Sequence, residues 1–420
     1  MSLSALYLIR IFKKIMALSR EILLEAANKF GTPLYVYDGD MVVERYKELY
    51  DFIKWDKLQI HYAMKANYNF ALLQLLNKAG ASLDTVSFAE VMLAFKAGFT
   101  PDRIIYTANN MTEEEVDSVQ ATGVLMNIGS LSRLEKFGEK FPGSKVCLRF
   151  NPDVVDGEHA SLMTGGDLTK FGILLKDVAK VKDIVQKYNL TVVGLHEHTG
   201  SGLQHTSSVF KSMENVLEIA TTENFPNLEF IDFGGGFKVP YTPEEERVDY
   251  VAMGEKITEI FSSFCKEYGK ELKMYFEPGK YIVAESGCMI VEVNTIKDNN
   301  GRKIVGCNSG FPQLIRPMFY DAYHHIVNLS NPDGALGEFD ICGNICETGD
   351  RFAEARRMNE VREGDLLSIE NAGAYCYTMG GVYNLRAMPA EALYANRELK
   401  LVRQRLSSEE LVDQIIGECC

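Results

Sequence analysis

Between residues 41 and 277 of this 420-residue chain, helix-patterned and strand-patterned segments alternate eight times. Helical periodicity over 41–53, 70–79, 88–97, 112–121, 131–140, 175–188, 207–222 and 249–268 precedes short, largely apolar runs. Those runs lie at 59–64, 81–86, 103–107, 124–128, 145–150, 191–196, 228–233 and 272–277. Gly80, Gly98 and Gly123 end three of the helices, where the absence of a Cβ lets the last turn close. Short apolar strands are suited to burial on both faces, and in alternation with helices they predict a parallel (β/α)8 barrel of the TIM type. A helix before the first strand is the one unusual feature, and no sequence repeat accompanies the architecture.

The flanks read differently. Ser19 as N-cap and Glu21 in the first turn open an earlier helix, which Thr32-Pro33 stops, and 33–37 follows as a strand. Beyond about Glu285, strands are expected at 288–297, 303–308, 339–343 and 365–370, with turns at Asn299-Asn300-Gly301 and Asp333-Gly334. The organisation expected is an α/β chain: an N-terminal extension or leader over 1–17, a segment over 18–40 joining the β domain, the barrel over 41–285, and a mostly β second domain over 286–420. From Ser407 the tail reads as a short acidic amphipathic helix, with Cys419 and Cys420 as inert terminal thiols.

Residues 1–17 set Leu6, Leu8, Ile9, Ile11 and Phe12 beside Arg10, Lys13 and Lys14. The stretch is too short to span a bilayer and has no small-residue cleavage site. An extended start or leader is the favoured reading, then a helix laid on the body, then a membrane-surface or targeting role. Hydrophobic content of 46% and charged content of 24% are those of a soluble globular protein, and no segment is suited to crossing a membrane. A net charge of −14 with no legible basic face argues against a nucleic-acid partner. Nine cysteines without framework spacing, and without a secretory signal, point to reduced thiols in the cytoplasm. Cys342 and Cys346 have no second pair of zinc-binding spacing, so no metal is expected.

In such a barrel the reactive groups stand at the carboxyl ends of the strands. The first strand ends in Lys65, followed by Asn67 and Asn69, and the second carries Asp84 and Ser87. Arg149 and Asn151 close the fifth, and the sixth runs into His196-Glu197-His198-Thr199-Gly200-Ser201-Gly202. The seventh leads to Gly234-Gly235-Gly236 and the eighth to Glu277-Pro278-Gly279-Lys280. A lysine ending a buried strand either reaches past it into water or is chemically employed, desolvation lowering its pKa. Three glycines form either a tight turn or a backbone cradle for a phosphate, which barrels usually bind after strands seven and eight. Lysine, phosphate cradle and carboxylate together are the parts that hold pyridoxal phosphate: amine to aldehyde, glycine amides to phosphate, Glu277 to the ring nitrogen. His198 is placed to stack on the ring, whereas His196 reads as structural.

These motifs carry a resemblance over roughly residues 25–400. Tyr62-Ala63-Met64-Lys65-Ala66-Asn67, His198-Thr199-Gly200-Ser201, Phe233-Gly234-Gly235-Gly236 and Glu277-Pro278-Gly279 carry it in the barrel. Beyond it stand Leu314-Ile315-Arg316-Pro317, Tyr320, Cys342-Gly343-Asn344-Ile345-Cys346-Glu347-Thr348-Gly349-Asp350 and Gly373-Ala374-Tyr375. The chain resembles the fold-type III pyridoxal-phosphate decarboxylases, the alanine racemase-like barrel group, and within them the diaminopimelate decarboxylase family. The resemblance implies that the second domain is of the alanine racemase C-terminal type. It also implies that Lys65 carries pyridoxal 5'-phosphate, that His198 stacks on it, and that Ser201, Gly235, Gly236, Gly279 and Lys280 help to place it. By the same resemblance Glu277 would pair with the pyridinium, Tyr375 would reach the phosphate, and Cys346 would be the general acid that reprotonates the carbanion. Arg316, Tyr320 and Glu347, with Lys280 and Tyr375, resemble the family's substrate contacts. A homodimer sharing its sites would present Cys346 and Glu347 to the partner's Lys65.

The implied reaction is decarboxylation of meso-2,6-diaminopimelate to L-lysine and CO₂, the last step of lysine biosynthesis. Its substrate carries a distal carboxylate and a distal ammonium, for which Arg316 offers a bidentate fork and Glu347 the countercharge. The competing reading of Arg316 is an interface salt bridge. Lys280 replaces the arginine common in the family after Glu-Pro-Gly, and Pro312-Gln313 stands where Asn or Asp is common before Leu-Ile-Arg-Pro. Alternatives are a decarboxylase of carboxynorspermidine, ornithine, arginine or lysine, a racemase, or a non-catalytic pyridoxal-phosphate-binding regulatory protein.

Overall fold

The computed structural model describes residues 16–157, 159, 165, 169–203 and 205–417. The leader assigned to 1–17 falls outside them up to residue 15, as do Cys419 and Cys420. Two compact units are present: Val43–Val239 with Arg247–Ile282, and the described residues up to Val42 with Pro240–Glu246 and those from Val283 onward.

After helix α1 (Arg20–Phe30), the strands in chain order are β1 (Leu34–Asp38), β2 (Leu58–Ala63), β3 (Ser82–Thr85), β4 (Ile104–Tyr106), β5 (Leu125–Ile128), β6 (Lys145–Asn151), β7 (Ile173–Leu174), β8 (Thr191–His196), β9 (Phe230–Asp232) and β10 (Lys273–Phe276). The sheet order β5-β4-β3-β2-β10-β9-β8-β6, with β5 pairing β6, closes eight parallel strands into a ring. The barrel expected from the sequence is therefore present, its strands within a few residues of the positions read. β7, a two-residue addition beside β6, is too short to leave a periodic trace.

The barrel is filled rather than hollow. Phe230 and Tyr275 stack at 4.3 Å, His61 lies 4.5 Å from Tyr275, and Ile105, Cys147 and Val193 join them. Burial pushes the His61 imidazole down to about 3, so it packs as a neutral ring. Gly194 is obligatory, since a Cβ there would stand 2.1 Å from the Phe230 ring. Helices α2 (Gly39–Phe52), α3 (Phe70–Ala79), α4 (Phe88–Lys96), α5 (Glu113–Gln120), α6 (Leu131–Lys140), α7 (Val178–Lys187), α8 (Thr206–Ile219) and α9 (Tyr250–Tyr268) complete this unit's main helices. Asn69, Ser87, Thr112, Ser130 and Asp249 accept backbone N–H groups as N-caps, each worth roughly 0.5–2 kcal/mol. The caps fix where the loops end, and hence where strand-end side chains stand.

After the short helix α10 (Lys280–Val283), the second unit contains β11 (Gly287–Asn299), β12 (Arg302–Cys307), helix α11 (Arg316–Tyr320), β13 (Ile326–Asn328), β14 (Leu336–Cys342), β15 (Arg351–Asn359), β16 (Leu366–Ile369), β17 (Ala390–Ala395), β18 (Glu398–Arg403) and helix α12 (Ser408–Ile416). Its sheet runs β15-β14-β12-β11-β1-β17-β18, with β16 also pairing β11 and β13. Leu34 and Val36 pack with Cys288, Ile290, Ala390, Ala392 and the apolar face of α1. β15 and β18 escape sequence reading because they form the sheet's outer edges and carry many charged, exposed positions. The expected tail helix is α12, opened by a Ser407–Glu410 capping box.

Candidate active site

Lys65 sits in a single 3-10 turn, Met64–Ala66, directly after β2. Its Nζ lies 2.9 Å from Asp84 Oδ2 at the end of β3. The desolvation expected at this strand end is absent: the Lys65 side chain is 40% exposed, while Asp84 is wholly buried. Burial, then Glu277, pushes the Asp84 carboxyl up, and Lys65 opposes both.

Glu277, just past β10, directs Oε2 at His196 Nε2, 3.0 Å away, and both side chains are buried. Its Oε1 is buried with no hydrogen-bond partner among the described residues. Burial and the Arg149 charge drive His196 well below the usual imidazole range, so it is neutral. The Arg149 guanidinium, buried 4.6 Å over the Phe171 ring, is the countercharge to Glu277, Asp84, Glu197 and Asp232. His196, Asp232 and Arg149 thus join the site, although His196 reads as structural in the sequence. A charged residue ending an apolar strand, the criterion that singles out Lys65, applies equally to Asp232.

The glycine turn is built for close approach. Gly234 has φ +63°, and a Cβ on it would lie 2.6 Å from Glu197 O and 2.7 Å from His198 Nδ1. A Cβ on Gly235 would lie 2.7 Å from Glu277 O. Glu277 N–H donates to Gly234 O at 2.6 Å, which ties this turn to the end of β10. Gly235 N–H donates to His198 Nδ1 at 3.1 Å, so the His198 proton is on Nε2. Burial, then Arg149, lowers His198 as well. Leu203 N–H donates to Gly236 O at 3.0 Å, holding the loop that carries Ser201 against the turn. Gly279 O accepts the Ile282 N–H, and Lys280 is buried at the start of α10. Behind His198, Glu197 accepts the hydroxyls of Ser212 at 2.9 Å and Thr199 at 3.2 Å, and burial pushes it up to about 8.

The second unit holds the remaining residues. Arg316 opens α11 and is 3% exposed, its guanidinium 4.9 Å from the Tyr241 ring and 5.9 Å from that of Tyr320. Tyr241 comes from Pro240–Glu246, and sequence reading gives it no role. Cys346 and Glu347 are exposed, and Cys346 N–H donates to Asn384 Oδ1 at 2.9 Å. Their loop is anchored by buried Asp350, whose carboxyl accepts Ile345 N–H at 2.8 Å and Phe311 N–H at 2.6 Å. Tyr375 has φ +56°, uncommon for a bulky residue. Two residues earlier, a Cβ on Gly373 would stand 1.7 Å from Val283 O.

Residues 40–284 match the family model of the pyridoxal-dependent decarboxylase, pyridoxal binding domain. The diaminopimelate decarboxylase of Methanothermobacter thermautotrophicus is 39% identical over 396 residues, 92% of each chain. That of Aquifex aeolicus is 34% identical over 400 residues, 93% of each chain. The crystal structure of diaminopimelate decarboxylase from Helicobacter pylori complexed with L-lysine superposes with a TM-score of 0.87 at 28% identity, over 96% of this chain and all of that one. A strand-end lysine, a glycine turn and a buried carboxyl on a closed barrel thus meet a full-length likeness, and the chain belongs to the diaminopimelate decarboxylase family of pyridoxal-dependent decarboxylases.

Proposed function

We propose that the protein removes CO₂ from the D-configured centre of meso-2,6-diaminopimelate, leaving L-lysine, as the last step of lysine biosynthesis. The observation that carries the substrate assignment is the buried Arg316 guanidinium beside two tyrosine rings, a preorganised partner for a distal carboxylate. A diamine-forming enzyme acting on lysine or ornithine has no distal carboxylate for it to hold.

The barrel residues fit pyridoxal phosphate. Glu277 Oε1 is a buried acceptor without a partner among the described residues, the glycine turn has no room for side chains, and Lys65 is an accessible amine. When bound, the cofactor supplies a protonated ring that takes up the electron pair left by departing CO₂. Lys65 would hold the cofactor through its aldehyde, and Glu277 would hold its ring nitrogen protonated. His198, neutral and fixed in its Nε2–H form by Gly235, would stack on the ring. Ser201, Gly236, Gly279 and Lys280 would hold the phosphate end, a role the family resemblance extends to Tyr375. Glu347 faces the distal ammonium, while Tyr320 and Lys280 complete the substrate contacts. Cys346 returns a proton to Cα. The division of labour is a cofactor-binding barrel over 41–285 and a β domain over 286–420, which residues 18–40 join.

The working form is a homodimer in the cytoplasm. Cys346 and Glu347 are exposed, and Met318, Phe319, Tyr383 and Leu385 in the same unit are exposed apolar side chains, as expected of a face that a second copy covers. The described cysteines are all free thiols, which suits a reducing compartment. Among the described residues no helix is long and apolar enough to cross a membrane.

Carbon dioxide release from meso-diaminopimelate, lysine, ornithine, arginine and carboxynorspermidine tests the reading. Release from diaminopimelate alone is expected. Preferred release from another of these amino acids would reassign the substrate, and cofactor binding without release from any would indicate a regulatory protein.

A further inference from the structure

Asp232 is wholly buried at the end of β9, two residues before Gly234. Its Oδ1 accepts the Gly234 N–H at 2.9 Å. Its Oδ2 and Glu277 Oε1 are both buried oxygens to which no N–H or hydroxyl of the described residues donates. One donor or acceptor atom from each of Asp232, Glu277 and His196 lies within 4.8 Å of the others. Two buried carboxylates this close repel, and a single proton between them turns the repulsion into an O–H···O hydrogen bond.

The groups facing the pair leave that proton no better home. His196 and the backbone N–H of Gly234 are neutral, and Cys147 and Tyr275 lie beside Asp232. Arg149 is a buried cation shared with Asp84, and Lys65 is engaged by Asp84. Burial first, and Glu277 second, push the Asp232 carboxyl well above the usual carboxylate range.

We propose that Asp232 is a positioning residue: held by Gly234, it carries the shared proton and donates it to Glu277, which therefore stands ionised and oriented toward the cofactor's ring nitrogen. One side chain then sets the spacing between the glycine turn and the ring-nitrogen partner without adding a second negative charge. The inference rests on the assignment of Glu277 proposed above.

Asparagine is a permanently neutral donor and acceptor of the same shape, whereas leucine has the volume without the hydrogen bonds. Protein stripped of cofactor is titrated with pyridoxal phosphate, following affinity and the pH dependence of the bound cofactor's visible absorbance. In Asp232→Leu the dissociation constant should rise about ten- to hundredfold, and the absorbance should vary with pH as the ring nitrogen loses its proton. Asp232→Asn should rescue both, keeping affinity within about threefold of the parent. Circular dichroism checks the folding of each variant. A tenfold or larger loss in Asp232→Asn would overturn the proposal, because it would mean that the ionised form acts; this arm decides even if Asp232→Leu does not fold. A folded Asp232→Leu with parental affinity and spectrum would also overturn it. Failure of the parent protein to bind pyridoxal phosphate would instead remove the cofactor-site reading itself.

Discussion

Lys65 Nζ and Asp84 Oδ2 stand 2.9 Å apart, with the carboxylate wholly buried and the amine side chain 40% exposed. The pair anchors the lysine at the strand end while leaving it reachable. Lys65→Ala should abolish the visible absorbance of lysine-bound cofactor and lower turnover by more than about a thousandfold. Folding should survive, since Asp84, pushed up by burial, takes a proton when its partner is gone. Survival of both absorbance and turnover would remove Lys65 from its role.

Cys346 is exposed and held through its backbone by Asn384. Cys346→Ala should retain cofactor but slow product formation by about 10²–10⁴-fold, the usual reach of a positioned acid. Lysine yield and, in D₂O, the configuration of the deuterium-labelled ε-carbon are the measurements, because reprotonation without this thiol loses facial control. Unchanged yield at unchanged rate would exclude the thiol.

Arg316 depends on the Tyr241 ring, 4.9 Å from its guanidinium. Tyr241→Leu should raise KM for diaminopimelate about two- to thirtyfold, the range of a desolvated cation–π contact, with cofactor affinity unchanged. Tyr241→Phe should restore KM. A fall in kcat at constant KM would place Tyr241 elsewhere in the reaction.

Glu197 carries a pH signature. Its carboxyl is pushed up to about 8 by burial, against 4.5 for the ordinary group, so the folded state holds a proton that the unfolded chain gives up. Its stability contribution is fully present below about pH 4.5 and is lost as pH rises toward about 8. Glu197→Gln removes that loss, so its melting temperature relative to the parent should climb between pH 5 and 8. Glu90 and Glu370, both raised to about 7, titrate in the same window, so the parent–variant difference is the quantity to follow. A difference independent of pH would mean that Glu197 is ionised throughout.

Local pattern alone determined the barrel, the start of the β domain and the strand-end positions of Lys65, His198, the glycine turn and Glu277. Strand periodicity is short-range, and a parallel barrel puts every strand end on one face, so sequence order becomes spatial order without further information. Edge strands β15 and β18 were illegible because charged, half-solvated residues have no clean period. Only the tertiary structure decided that Lys65 is paired and exposed rather than desolvated, and that the Gly235 N–H serves His198. It alone put Tyr241 under Arg316, and it turned Asp232 and His196 from strand residues into neighbours of Glu277. Burial and pairing depend on residues distant in the chain, from Lys65 and Asp84, 19 positions apart, to His196 and Glu277, 81 apart, and a side chain's charge state follows from that surrounding rather than from its own position.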